Sequence, residues 1–142
     1  MTLVLEPRHL TAIRHHAEAD YPHEACGLIG GTVEGQRRVA LDLVTLRNAR
    51  ADAPRNRYLI DAEAFRHAEA RLARDGLEVI GVYHSHPDSP PRPSAFDREH
   101  AWPRLSYLIV GVARGRATGQ QSWVLSDDRV EFLEESLWQS PS

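Results

Sequence analysis

Two histidines separated by one residue, His84 and His86, follow the uninterrupted apolar run Val79-Ile80-Gly81-Val82-Tyr83. In a strand, side chains at i and i+2 leave the same face, so both imidazoles can reach one ion. Two histidines, one carboxylate and an open fourth position make the pattern of a catalytic zinc site, whereas a closed structural site usually recruits several cysteines. The chain has one cysteine, Cys26. The structural version is therefore disfavoured.

A carboxylate is available a short way downstream. Prolines at 87, 90, 91 and 93 stiffen the segment after His86, and Ser94-Ala95-Phe96-Asp97 follows. Ser94 can cap a short helix, which places Asp97 at the third helical position and sets its carboxylate beside the chain leaving His86. Asp97 is the expected third ligand. Taken alone, Ser94-x-x-Asp97 is also an ordinary helix start. Glu24, in Tyr21-Pro22-His23-Glu24-Ala25-Cys26-Gly27, precedes an apolar strand, where a solvated glutamate would be unremarkable. Periodicity does not single it out.

The elements that must position these groups can be outlined. Leu10, Ile13 and Ala17 recur at helical spacing after Pro7, which predicts a helix over 7–19 that stops before Tyr21-Pro22. A strand over 26–29 should end at Gly30-Gly31, and a second over 39–44 should pair with it through the turn at 32–36. The polar stretch 47–57, with Pro54, reads as a loop. Asp61 can cap a helix that carries Phe65, Ala68 and Leu72 on one face and stops at Gly76, with Ile60 and Phe65 as its hydrophobic staple. The runs 79–83 and 107–112 look like central strands covered on two faces, which places helices on both sides of a sheet. Trp123, Leu125, Val130 and Phe132 favour a terminal hairpin, while Val130, Leu133 and Leu137 also fit a helical stripe.

Length and composition bound the function. With 142 residues, 42% hydrophobic and 26% charged, the chain fits one globular domain rather than a disordered or fibrous one. The net charge is -3 and all 17 basic residues are arginine, which argues against non-specific nucleic-acid binding. No window approaches the roughly 20 apolar residues of a membrane span. One cysteine and a start without basic and long apolar regions make the cytoplasm the expected location. Cys26 sits in an apolar strand, where an inert thiol is expected rather than a nucleophile. The six remaining histidines, His9, His15, His16, His23, His67 and His100, are expected at the surface or behind the ligands. Base deamination is disfavoured because the Pro-Cys-x-x-Cys element of zinc deaminases is missing.

Glu24 at a strand entrance, His84-Ser85-His86, seven residues beginning with Pro87 and then Ser94-x-x-Asp97 resemble the JAMM motif of the catalytic MPN (JAB1/MPN/Mov34) metallopeptidase family. The flanks 22–30 and 81–84 are similar too, and no motif position is substituted. The resemblance implies a single α/β domain, MPN-like (cytidine-deaminase-like), with a mixed central β-sheet and helices on both sides. It would span 1–138, leaving a short tail at 139–142. It also implies one Zn2+ held by His84, His86 and Asp97, with Glu24 as general acid/base and Ser94 as the oxyanion-stabilising hydroxyl. Only nine residues lie between Asp97 and Tyr107, too few for the long insertions with which eukaryotic deubiquitinating relatives grip ubiquitin.

The resemblance is chiefly to the small stand-alone bacterial members. They imply hydrolysis of a peptide or isopeptide bond after the C-terminal Gly-Gly of a ubiquitin-like or sulfur-carrier protein, with release of an amino acid such as cysteine as one setting. The partner is then that carrier protein, with neither nucleic acid nor membrane, and a homodimer is allowed. Two readings compete: a non-catalytic MPN docking module that binds zinc for stability, and a metal-dependent amidase acting on a small molecule, since a fold does not specify the acyl group.

Overall fold

The computed structural model describes residues 1–48 and 58–140. Its elements run β1 (Thr2–Leu5), α1 (Pro7–Asp20), β2 (Cys26–Glu34), β3 (Arg37–Leu46), α2 (Ala62–Arg74), β4 (Glu78–Pro87), α3 (Ala95–Glu99), β5 (Ser106–Ala113), β6 (Arg116–Leu125) and β7 (Phe132–Gln139). The strands form one mixed sheet in the order β1-β3-β2-β4-β5-β6-β7, and β1 also pairs with β7, so the sheet closes into a barrel. The pair β4/β5 is parallel, as are both pairs made by β1; the others are antiparallel. The α/β expectation holds, and the closure by β1 is a feature the sequence reading lacked.

Neighbouring residues on a strand go to opposite faces, and the core divides accordingly. Ile29, Tyr83, Leu108 and Val110 join Ile13 and Ala17 of α1 in one cluster. Leu28, Val82 and Tyr107 join Ala68 and Leu72 of α2 in the other. The two helices therefore cover different faces of the sheet. Asp61 caps α2 by accepting the Ala64 N–H at 3.0 Å, and Gly76, at φ +75°, follows its end. Among the described residues no helix is long and apolar enough to cross a membrane.

Two expectations need correcting. Gly30-Gly31 does not end β2, which continues to Glu34. Both glycines sit where the ladder shifts register, and neither has room for a side chain: a Cβ on Gly30 would lie 2.5 Å from Leu72 Cδ2, and one on Gly31 would run into the Val39 carbonyl. Glycine here admits close packing inside a strand rather than breaking it. The C-terminal segment is the hairpin β6/β7 that its alternation favoured over a helix. β7 reaches Gln139, and the Ser140 N–H bonds the Leu5 carbonyl at 2.8 Å, so the chain is still paired where a tail was expected to begin. The expected loop at 47–57 lies outside the described residues apart from Arg47 and Asn48, as do Pro141 and Ser142.

Leu72 is fully buried against Gly30 on the face that carries the candidate site. Leu72→Ala should lower unfolding free energy by about 2–5 kcal/mol, the usual cost of emptying such a position. Denaturant unfolding would check it.

Candidate metal centre

β4 carries both histidines because it outruns one of its neighbours. Its pairing with β2 ends at Cys26↔His84, whereas its parallel pairing with β5 continues to Pro87↔Val112. Cys26 and His84 stand opposite each other on one face, so Glu24, two residues before Cys26, belongs to that face as well. The loop after His86 is pinned by Trp123 Nε1, which donates to the Pro91 carbonyl at 3.0 Å. It then delivers α3. Ser94 Oγ accepts the Asp97 N–H at 3.1 Å while Asp97 Oδ2 accepts the Ser94 N–H at 2.9 Å, a reciprocal capping box that holds the Asp97 carboxylate.

The structure brings Glu24, His84, His86 and Asp97 together. One donor atom from each of Glu24, His84 and His86 lies within 4.8 Å of the other two. Asp97 Oδ2 is 3.0 Å from His86 Nε2, and its Oδ1 is 3.9 Å from His84 Nε2. His84 Nδ1 is 3.5 Å from Glu24 Oε1. All four residues are buried, at 8% exposure or less. Ser94 is exposed and reaches the cluster through Asp97.

Two features fit this cluster to a cation. Glu24 Oε1, His84 Nδ1 and His84 Nε2 are buried without a hydrogen-bond partner. Such atoms are costly to leave unsatisfied, and a carboxylate facing imidazole nitrogens is the donor set that a borderline metal takes. His86 gives the second. Its Nδ1 lies 2.9 Å from the Pro90 carbonyl, which can only accept, so Nδ1 carries a hydrogen and Nε2 faces the Asp97 carboxylate at 3.0 Å. Two lone pairs at that distance repel unless a proton or a cation lies between them.

The titration directions follow from the same geometry. Burial alone would lower His86, but the Asp97 hydrogen bond and charge outweigh it and hold the imidazole above its usual value. Burial alone would raise Asp97, but the neighbouring His84 charge, the His86 hydrogen bond and the Ser94 N–H together hold its carboxyl well below the usual range. Cys26 is fully buried, and burial chiefly pushes its thiol up to about 12, so it has no nucleophilic role here.

Two neighbours escaped the sequence reading. The Tyr58 ring stacks on His84 with centroids 4.2 Å apart and planes 20° from parallel. Tyr58 also lines a cleft of about 310 Å³, together with Leu59, Trp102 and Tyr107 among others. Asn48 donates from Nδ2 to the Glu24 carbonyl at 3.2 Å. The only hint for Tyr58 was its place in a short apolar run before the α2 cap; Asn48 carried none. Among the other histidines, His9 is on the buried face of α1, at 5% exposure, rather than at the surface.

Residues 6–126 match the family described as prokaryotic homologs of the JAB domain. The chain belongs to that family. This JAB-family chain is 37% identical over 113 residues to a desampylase of Haloferax volcanii, spanning 79% of this chain and 78% of that protein. It is 35% identical over 108 residues to a probable TtuB-protein conjugate cleaving protease of Thermus thermophilus, spanning 76% and 69%. Its fold is similar to the crystal structure of a JAB1/MPN domain protein from Archaeoglobus fulgidus, with a TM-score of 0.56 at 18% identity over 98% and 97% of the two chains. The chain is accordingly a hydrolase of the JAMM type, and the MPN-like reading of its fold holds.

Proposed function

We propose that this JAB-family chain is a zinc-dependent metallopeptidase that hydrolyses the peptide or isopeptide bond after the C-terminal Gly-Gly of a ubiquitin-like or sulfur-carrier protein. The observation that carries the proposal is the buried convergence of Glu24, His84 and His86, with Asp97 against both imidazoles. The substrate class draws support from the two relatives, one named a desampylase and the other a conjugate cleaving protease. The leaving amine is a side chain of a conjugated protein or, in sulfur metabolism, a free amino acid such as cysteine.

In this reading His84, His86 and Asp97 hold the ion. When bound, zinc supplies Lewis acidity that acidifies a water and polarises the scissile carbonyl. Glu24 Oε1 takes a proton from the attacking water and returns it to the leaving amine. The Ser94 hydroxyl donates to the oxyanion of the tetrahedral intermediate, while its lone pair keeps the Asp97 N–H capped. The Pro90 carbonyl keeps the His86 hydrogen on Nδ1, leaving Nε2 free to bind.

Cleavage of a conjugate carrying a Gly-Gly tail, abolished by chelator and restored by zinc, tests the proposal. Free hydrolysis of unrelated peptides without any on Gly-Gly tails would overturn the substrate, and small amides in the same panel test the amidase alternative. Ser94→Ala should lower kcat by about 100-fold, the range for losing one oxyanion donor. Its lost cap should cost about 1 kcal/mol in the same protein. Steady-state kinetics and denaturant unfolding read the two effects separately.

A further inference from the structure

The peptide group between Glu24 and Ala25 is gripped at both edges by side chains. Its carbonyl, on Glu24, accepts from Asn48 Nδ2 at 3.2 Å. Its N–H, on Ala25, donates to Ser85 Oγ at 2.8 Å. A trans peptide points these two groups in opposite directions, so the two bonds pull on one plane from opposite sides and define its tilt. That tilt sets the direction in which the Glu24 side chain leaves the backbone.

The strand ladder does not provide this on its own. Register pairing of β2 with β4 ends at Cys26↔His84. One step further the Ser85 N–H still reaches the Ala25 carbonyl at 3.0 Å, but the Ala25 N–H goes to the Ser85 hydroxyl instead of a main-chain carbonyl. The hydroxyl lets β2 diverge from β4 without leaving a buried N–H unpaired; Ser85 is 1% exposed. Asn48 completes the grip. Its Oδ1 accepts the Leu59 N–H at 3.0 Å while its Nδ2 donates to Glu24, an arrangement that fixes which end of the amide is which. Asn48 thus joins the backbone of Glu24 to the segment whose Tyr58 stacks on His84.

We propose that Ser85 and Asn48 are positioning residues that aim the Glu24 carboxylate by clamping the 24–25 peptide group. The residue between the two histidines is then part of the machinery rather than a spacer. This inference rests on the proposed role of Glu24. Small displacements of a reacting group are expensive, since about 1 Å can cost on the order of 100-fold in rate.

The test uses Ser85→Ala, Ser85→Thr and Asn48→Asp in the full chain, with a Gly-Gly-tailed conjugate of a ubiquitin-like protein as substrate. Ser85→Ala and Asn48→Asp should each lower kcat at least about 10-fold, while KM and zinc affinity by chelator competition stay within about twofold. Ser85→Thr, which keeps the hydroxyl, should recover most of the kcat lost in Ser85→Ala. In zinc-free protein, Ala25 amide exchange should accelerate in Ser85→Ala, and the carbon-13 shift of the Glu24 carboxyl should move in Ser85→Ala and Asn48→Asp. Should Ser85→Ala and Asn48→Asp keep wild-type kcat while Glu24→Gln is inactive, the clamp is refuted and the role of Glu24 survives. The clamp is also refuted if kcat falls only in step with zinc affinity or melting temperature. If the wild type leaves the conjugate intact but both NMR markers respond, the substrate reading fails and the clamp stands.

Discussion

Glu24→Gln is expected to lower turnover by about 10²- to 10⁴-fold, the range for removing a general acid/base, while zinc stays bound. The substitution changes little besides chemistry. Glu24 is 3% exposed, and glutamine fills its volume but cannot take a proton from water or return one to an amine. The zinc content matters as much as the rate. Glu24 Oε1 is 3.5 Å from His84 Nδ1, and Glu24 groups with His84 and His86 as tightly as a ligand would. Were Glu24 a ligand, the variant would lose zinc together with activity. If Asp97 is the ligand, Asp97→Asn loses zinc and Glu24→Gln keeps it. Metal analysis of the two purified variants beside steady-state rates separates these assignments. A Glu24→Gln protein that hydrolyses at near-wild-type rate would remove the residue from the mechanism altogether.

The parts of the centre that could be read from sequence are those generated by short-range geometry. His84 and His86 share a face because strand side chains alternate, and Asp97 turns back on Ser94 because a capping box closes over three residues. Glu24, Asn48 and Tyr58 reach the same place through pairings across distant segments. A lone glutamate before a strand, an asparagine after one and a tyrosine before a helix have no period to reveal them. Family resemblance supplied Glu24; Asn48 and Tyr58 became visible only through their contacts with Glu24 and His84.

The C-terminal strand shows a different limit. Hydrophobic patterning assumes that apolar side chains turn inward, yet β7 buries Glu135 and leaves Leu133 53% exposed. Glu135 is accommodated because Ser122 Oγ donates to its Oε1 at 2.7 Å and Arg38 stands 3.6 Å from its Oε2. Arg38 in turn donates to Ser106 Oγ at 3.2 Å. Four polar residues from β3, β5, β6 and β7 are thus buried together, with Glu135 Oε2 ion-paired to Arg38 but without a hydrogen bond, an arrangement that leaves no apolar stripe along β7. β1 escaped for a simpler reason. Four residues are too few to show alternation, and its place comes from the two strands that it joins.

His84→Ala is expected to abolish both zinc binding and hydrolysis. The imidazole is 1% exposed, stacked on Tyr58 and set between the Glu24 and Asp97 carboxylates. Removing it takes away one of three proposed ligands, and the loss in affinity should exceed the roughly 10- to 100-fold typical of changes behind the ligands. Alanine also leaves a hole beside Tyr58, so some stability is lost whatever the metal does, and melting temperature alone is ambiguous. The response of that temperature to zinc is not. A metal that binds only the folded state stabilises it by about 4 kcal/mol at 1,000 times its Kd. Wild-type protein stripped with chelator should therefore melt higher when zinc is returned, and His84→Ala should not. Hydrolysis separates the enzyme from a docking module that uses zinc only for stability: both would show the zinc-dependent melt, but only the enzyme regains cleavage with the metal. A His84→Ala protein that still melts higher with stoichiometric zinc would place the ion elsewhere and dismantle the proposed ligand set.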